Sequence, residues 1–190
     1  MWTYEKRLMF PINIKKRNPK LAKMILTQFG GYASELGAAL RYLTMRYTMP
    51  TDEGKALLTE IGTEELAHLE MINTIVLQLM KDSTVEELKA LGVEGLYVEH
   101  GKNMFPLDVN GVPFTTQLFA VTGDPIVDLA ENLAAEEKAR IVYERLMDLT
   151  NDEDVLAPLS FLREREVIHF QRFGELLNTY NKMKNEGLLK

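Results

Sequence analysis

The sequence predicts an all-α four-helix bundle with an extended N-terminal arm and one long crossover connection. Three observations predict it. Four segments of roughly 25 residues, each about 38 Å long as a helix, carry apolar residues at alternating 3 and 4 spacing. Short breaks join the first segment to the second and the third to the fourth. Between these pairs, Gly92 to Gly123 shows no sustained helical period, with Gly, Pro, Asn and aromatics scattered through it. That stretch is too long for a tight turn, so it reads as a crossing connection.

The elements follow in order. Residues 1–18 hold Pro11 and the basic run Lys15–Arg17, and Pro19 follows; the stretch reads as an extended arm that Trp2, Tyr4 and Phe10 could anchor. Residues 19–82 make the first helix pair. Pro19 suits a helix start, where its missing N–H is not needed. Leu21, Ile25, Gln28, Tyr32, Glu35, Ala39 and Tyr42 then lay one stripe along a helix reaching about Tyr47. Pro50 ends it, and Thr51 or Asp52 caps a second helix with the stripe Leu58, Ile61, Glu65, His68, Ile72, Ile75 and Leu79.

Residues 83–123 hold a short helix, capped by Ser83 and closed by Gly92, and then the crossover. Residues 124–185 make the second pair. Asp124-Pro125 is a cap followed by a first-turn proline. The third helix carries Leu129, Leu133, Glu136, Arg140, Tyr143 and Met147. The fourth carries Leu159, Leu162, Glu166, His169, Phe173, Leu176 and Tyr180, with Pro158 expected to kink it or delay its start. Two helix pairs joined by one long connection form a single ferritin-like domain.

Composition excludes several chemistries. The chain has 190 residues, 22 Lys plus Arg against 28 Asp plus Glu, a formal charge of −6, three His and no Cys. Without Cys there is no disulfide, thiolate-ligated cluster or thiol nucleophile. An acidic chain without a long basic run is a poor nucleic-acid binder. The start lacks the apolar run of a signal peptide, and no 18-residue apolar stretch exists to span a membrane. The expectation is a soluble protein made in the cytosol.

The anomaly lies in where the acids sit. Glu35, Glu65, Glu136 and Glu166 fall in the apolar stripes, as do His68 and His169. A charge in a bundle seam is expensive unless compensated, and four facing carboxylates repel one another. Two divalent ions would carry four positive charges against them, with neutral imidazoles as further ligands. The spacing agrees. Glu65–His68 and Glu166–His169 are both i, i+3 pairs on one helix face. The differences 136 − 35, 166 − 65 and 169 − 68 all equal 101, so the two halves present one ligand set in one register. A lone Glu-x-x-His is usually a solvated face. A matched double set in seam positions is what a pseudo-twofold dimetal site needs.

The neighbours sort around this set. Glu64 reaches His68 at i, i+4 but lies off the stripe, and Glu137 is likewise off its stripe. Glu70, Glu131, Glu144 and Glu164 read as solvated-face charges, and His100 as an ordinary surface histidine. Tyr42 and Arg140 lie one or two turns from metal-facing positions, where they could support the ligands; for Tyr42 the competing reading is core packing with its hydroxyl satisfied. The methionines read as core filler.

At these residues the sequence resembles the manganese catalase family, in particular its short members, the manganese-catalase-type spore coat proteins of endospore-forming bacteria. The matching segments are MWTYEKRL, GGYASELGAALRYL, IGTEELAHLEMI, GVPF, GDPIVDLAENLAAEEKAR and FLREREVIHFQRF, and they span nearly the whole chain. The resemblance implies metal ligands at Glu35, Glu65, His68, Glu136 and His169, with Glu65 bridging, and a proton-transfer role for Glu166. It implies two Mn ions per chain, hydrogen peroxide as substrate, disproportionation to O2 and water, and a homo-oligomer, hexameric in the family. Spore coat localisation, with other coat proteins as partners, is implied in the same way. Two departures stand out. Full-length members carry a longer C-terminal tail that wraps neighbouring subunits, and some place an arginine where this chain has Ala135.

Two other readings compete. Glu and His ligands serve Fe nearly as well as Mn, so a diiron oxidase, peroxidase or iron handler fits the same residues. In a structural coat protein the metal pair would mainly hold the four helices together.

Overall fold

The computed structural model describes residues 7–101, 103, 105–118 and 121–189. Its helices are α1 (Pro19–Ile25), α2 (Thr27–Gly30), α3 (Glu35–Met45), α4 (Asp52–Leu79), α5 (Val85–Ala90), α6 (Glu94–His100), α7 (Pro125–Met147) and α8 (Glu153–Asn185). Hairpin α3–α4 packs on hairpin α7–α8, with α1 and α2 completing the first side. The fold is a ferritin-like helical bundle. No helix among the described residues is long and apolar enough to cross a membrane.

The expected first helix is three pieces, not one. Gly30-Gly31 interrupts it, and Gly31 takes extended backbone after α2. Ser34 then caps a fresh start, its hydroxyl accepting from Gly37 N at 3.3 Å. Tyr32, expected in the buried stripe, sits in this break and is 53% exposed. The break places Glu35 in the first turn of α3, where the positive end of the helix dipole faces its carboxylate.

Thr51 caps α4 by accepting from Gly54 N. Asp124 caps α7, with Pro125 in its first turn. Three details differ from expectation. Thr84, not Ser83, caps α5, because Glu87 three residues on completes a capping box. The crossover contains a further helix, α6. Pro158 lies inside α8, because Asp152 accepts from Asp154 N and starts the helix ahead of it.

The arm lies along the bundle. The Gln78 carboxamide accepts from Ile14 N at 2.6 Å and donates to Ile12 O at 3.1 Å. Phe10 stacks on Phe161 at 5.0 Å between ring centres. Trp2 and Tyr4, the other expected anchors, lie outside the described residues. The crossover returns over α2, where Leu107 is buried.

The core has two apolar layers. One gathers Ile25, Ile72, Ile75, Tyr143, Leu159 and Leu162; the other gathers Tyr42, Leu58, Ile61, Leu129, Phe173 and Leu176. Each buried Leu, Ile or Phe contributes roughly 1.5–3 kcal/mol. Along α4 and α8 the stretches Glu65–His68 and Glu166–His169 fall between residues of one layer and residues of the other. The bundle therefore encloses one charged layer between two oily ones.

Candidate metal centre

The structure brings Glu35, Glu65, His68, Glu136, Glu166 and His169 together in this layer, each no more than 2% exposed. α3 supplies Glu35, α7 supplies Glu136, and α4 and α8 each supply a Glu-x-x-His turn. The ligand atoms form two sets. Glu35, Glu65, His68 and Glu166 offer four atoms within 4.8 Å of one another, and so do Glu65, Glu136, Glu166 and His169. Glu65 and Glu166, the twofold-related pair, belong to both.

Glu65 sits at the centre. His68 Nδ1 lies 2.7 Å from its Oε2, and His169 Nδ1 lies 2.9 Å from its Oε1. Each oxygen faces one half of the site. His68 Nδ1 is also 3.5 Å from Glu35, and His169 Nδ1 is 3.7 Å from Glu136. The imidazoles lie nearly parallel, 5.6 Å apart.

The electrostatics follow from crowding these acids into a buried layer. Burial, then the charge of Glu65, pushes the Glu35 carboxyl up to about 7, against hydrogen bonding to His68. Burial and the charges of Glu35, Glu136 and Glu65 hold Glu166 well above the usual carboxylate range. Burial also raises Glu65, yet His169 and His68 outweigh it and keep that carboxyl low. Burial pushes His169 down, but the charge of Glu65 and the nearby carboxylates of Glu136 and Glu64 carry it up to about 12. Protons thus hold the acids together. Even so, Glu65 Oε1, Glu136 Oε2, Glu166 Oε1 and His169 Nδ1 have no hydrogen-bond partner among the described residues. Buried polar atoms are rarely left so. Carboxylate oxygens and imidazole nitrogens aimed at shared points fit divalent metal in two adjacent positions.

Two tyrosines brace the acids. Tyr42 donates its hydroxyl to Glu136 Oε1, and Tyr143 donates to Glu35 Oε1. Tyr42 therefore supports a candidate ligand as well as packing in the core, where it meets Phe173 edge-on at 4.9 Å. The sequence places Tyr143 in the stripe, a position that does not by itself mark it as a support for Glu35. The signal was available, since it follows Tyr42 by the same 101 positions.

Arg140 requires a correction. Its guanidinium does not support the site but pairs with Glu137 at 2.8 Å and Glu144 at 2.7 Å. The seam of α7 passes from Glu136 through Ala139 to Tyr143, and Arg140 falls beside it. Glu64 lies off the stripe, yet the structure brings it to the site. Its Oε1 lies 3.5 Å from His68 Nε2, its Oε2 lies 3.3 Å from His169 Nε2, and Arg165 clasps it.

A small cavity of about 10 Å³ approaches the layer beside α3 and α7. Ala33, Ala38, Ala135 and Ala139 help to wall it, and Glu35, Glu136 and Glu166 line it. It has room for about one water-sized molecule.

Comparison with known proteins agrees with this geometry. The family model described as manganese containing catalase matches residues 1–188. The chain is 48% identical to Protein CotJC of Bacillus subtilis over 98% of both chains. It is 35% identical to a probable manganese catalase of Clostridium acetobutylicum, covering 98% of this chain and 83% of that one. Among solved structures it resembles KatB, a manganese catalase from Anabaena, with a TM-score of 0.86 at 33% identity over 96% of this chain and 82% of KatB. By sequence and by structure, this chain belongs to the manganese catalase family.

Proposed function

We propose that this protein binds two manganese ions and disproportionates hydrogen peroxide, two H2O2 giving O2 and two H2O. The observation that carries the reading is the pair of four-residue ligand sets sharing Glu65 and Glu166 inside a buried layer. Manganese bound there would supply reversible two-electron exchange with peroxide.

The chain's own residues do the rest. Glu35 and His68 would hold one ion, Glu136 and His169 the other, with Glu65 bridging. Glu166 is the catalytic residue: its Oε1 has no partner among the described residues, and its surroundings favour the protonated form. As the protonated acid it would give its proton to the peroxide oxygen that leaves as water, and take one back from the second peroxide as that one is oxidised to O2. Tyr42 and Tyr143 keep Glu136 and Glu35 in place. The alanine-walled cavity favours a substrate as small as peroxide and excludes bulky reductants.

Elemental analysis of protein from Mn-supplemented cells, with O2 release from H2O2 in the presence of azide, tests this. Two Mn per chain with O2 release is the expected result. One metal or fewer per chain overturns the dimetal reading. Two Mn without O2 release favours a structural metal pair. Two Fe, with peroxide consumed only when a reductant is added, favours the diiron alternative.

We also infer association with the spore coat, in a homo-oligomer. This rests on the resemblance to the short coat-type members, and the end-to-end match with CotJC supports it. Immunodetection in coat extracts of purified spores should find the chain there; its absence from that fraction would refute the placement.

A further inference from the structure

We infer that Glu64 is a positioning residue that holds both site histidines at once, and that Arg165 is its twofold counterpart of opposite charge. The inference rests on the dimetal reading above and extends it outward by one layer.

Glu64 precedes Glu65 on α4, and Arg165 precedes Glu166 on α8. They are separated by 101 positions, the offset of the ligand pairs themselves. The two side chains also touch. Arg165 Nε lies 2.5 Å from Glu64 Oε1, and its Nη2 lies 3.2 Å from Oε2. Two positions that are related by a twofold axis and meet each other must meet on that axis. Identical charges there would repel, so the symmetry of the ligand set cannot extend to this pair. One acid and one base resolve the conflict.

The acid is then equidistant from both histidines. Its oxygens lie 3.5 and 3.3 Å from the two Nε2 atoms. Neither Nε2 has a hydrogen-bond partner among the described residues, and the Glu64 carboxylate lies within ion-pair distance of both. Each ring turns Nδ1 inward to Glu65 and Nε2 outward to Glu64. A carboxylate outside keeps the proton on Nε2 and leaves the Nδ1 lone pair free for metal. Arg165 fixes the carboxylate plane through a two-pronged contact, which a lysine could not reproduce. The side chains of Glu64 and Arg165 are 12% and 22% exposed, so the pair is only partly screened by water.

Two consequences separate this from an ordinary salt bridge. Loss of the Glu64 carboxylate acts on both metal positions together, whereas loss of Glu35 or Glu136 acts on one half first. A carboxylate on the axis also works from either side, so exchanging the two residues preserves the arrangement.

The test uses the full chain labelled with 15N-histidine, metal-free and loaded with Zn2+ as a diamagnetic probe. Long-range 1H–15N spectra give the tautomer of each ring. In the Zn2+ form His68 and His169 are both expected with the proton on Nε2, protected from exchange with water. Glu64→Gln should weaken Zn2+ uptake about 10–100-fold at both positions. It should also speed Nε2–H exchange at both rings. The double variant E64R/R165E should restore both, where Glu64→Arg alone does not. Rings of the Zn2+-loaded wild type protonated on Nδ1 would overturn the proposal, as would a Glu64→Gln effect confined to one ring. A folded swap variant without restored protection would do the same. Uptake of fewer than two Zn2+ refutes the dimetal reading instead; Nε2–H protection in the metal-free chain, and its loss in Glu64→Gln, still decides the role of Glu64.

Discussion

Tyr143 of α7 donates its hydroxyl to Glu35 of α3, 108 positions away in the chain and across the bundle. Tyr42 of α3 returns the same bond to Glu136 of α7. Each acid near the start or middle of its helix is thus tied to the helix opposite. Burial, then the neighbouring acids, holds both phenols well above their usual range, so they remain donors at any working pH.

Replacing Tyr143 by Phe leaves Glu35 without this donor and should destabilise the fold by about 1–3 kcal/mol. Tyr42→Phe should do the same through Glu136. Because each tyrosine serves the ligand of one half, each variant should weaken one of the two metal positions more than the other. Chemical denaturation checks the first expectation, and stepwise metal titration the second. Equal weakening of both positions by either variant would contradict the pairing.

Gly62 is a packing requirement of the same region. A Cβ there would lie 2.9 Å from Leu43 Cγ and 3.2 Å from Tyr42 Cβ. Gly62→Ala should therefore press α4 away from α3 and cost about 1–3 kcal/mol, despite alanine's better helix propensity. Leu43→Ala should relieve most of that cost, because the tightest contacts are with its flexible end. A double-mutant cycle measures this. Additive losses would show that the crowding lies elsewhere.

The candidate site was legible in the sequence because its acids occupy seam positions where an apolar core would not place them. Glu35, Glu65, His68, Glu136, Glu166 and His169 all declared themselves this way. Residues that support the ligands leave a weaker mark. Tyr143 looks like ordinary core. Glu64 lies at the edge of its stripe; i, i+4 spacing brings it to His68, but only the packing of α8 on α4 brings it to His169. Arg140 shows the opposite case: its i+4 spacing from Glu136 suggests one face, but the seam steps through Ala139 and leaves Arg140 beside it. The break at Gly30-Gly31 was obscured because Gln28 and Glu35, seven apart, remain in phase across it. The backbone leaves the helix between them while both ends stay buried.

That break explains a further requirement. A Cβ on Gly30 would lie 2.3 Å from both Leu107 N and Pro106 C, which are backbone atoms of the crossover. No rotamer change can relieve that contact, so Gly30→Ala should lift the crossover from the bundle. The amide of Phe114, which donates to Pro106 O at 2.8 Å, should then exchange faster with solvent. Amides at the centre of α8 should keep their wild-type rates. Unchanged protection at Phe114 would mean that the crossover seats itself without Gly30.

Metal-free and metal-loaded chains should differ in how stability depends on pH. In the metal-free chain Glu35 is raised from 4.5 to about 7, and His169 from 6.5 to about 12. Between pH 4.5 and 7 the folded chain holds a proton at Glu35 that the unfolded chain has released. From 6.5 upward the same is true at His169. Where the folded state binds more protons, stability falls as pH rises. Glu65 has the opposite sign, since its carboxyl is held low in the fold, and it costs stability only as pH drops below 4.5. The metal-free chain should therefore be most stable in mild acid and lose about 5 °C or more in melting temperature between pH 5 and 8.5. Metal must displace those protons to bind, so its affinity strengthens with pH and the loaded chain should show no such loss. Thermal melts at pH 5, 7 and 8.5, in chelator and in excess Mn2+, measure both slopes. A metal-free melting temperature that rises across this range would show that protons do not hold the empty acids together.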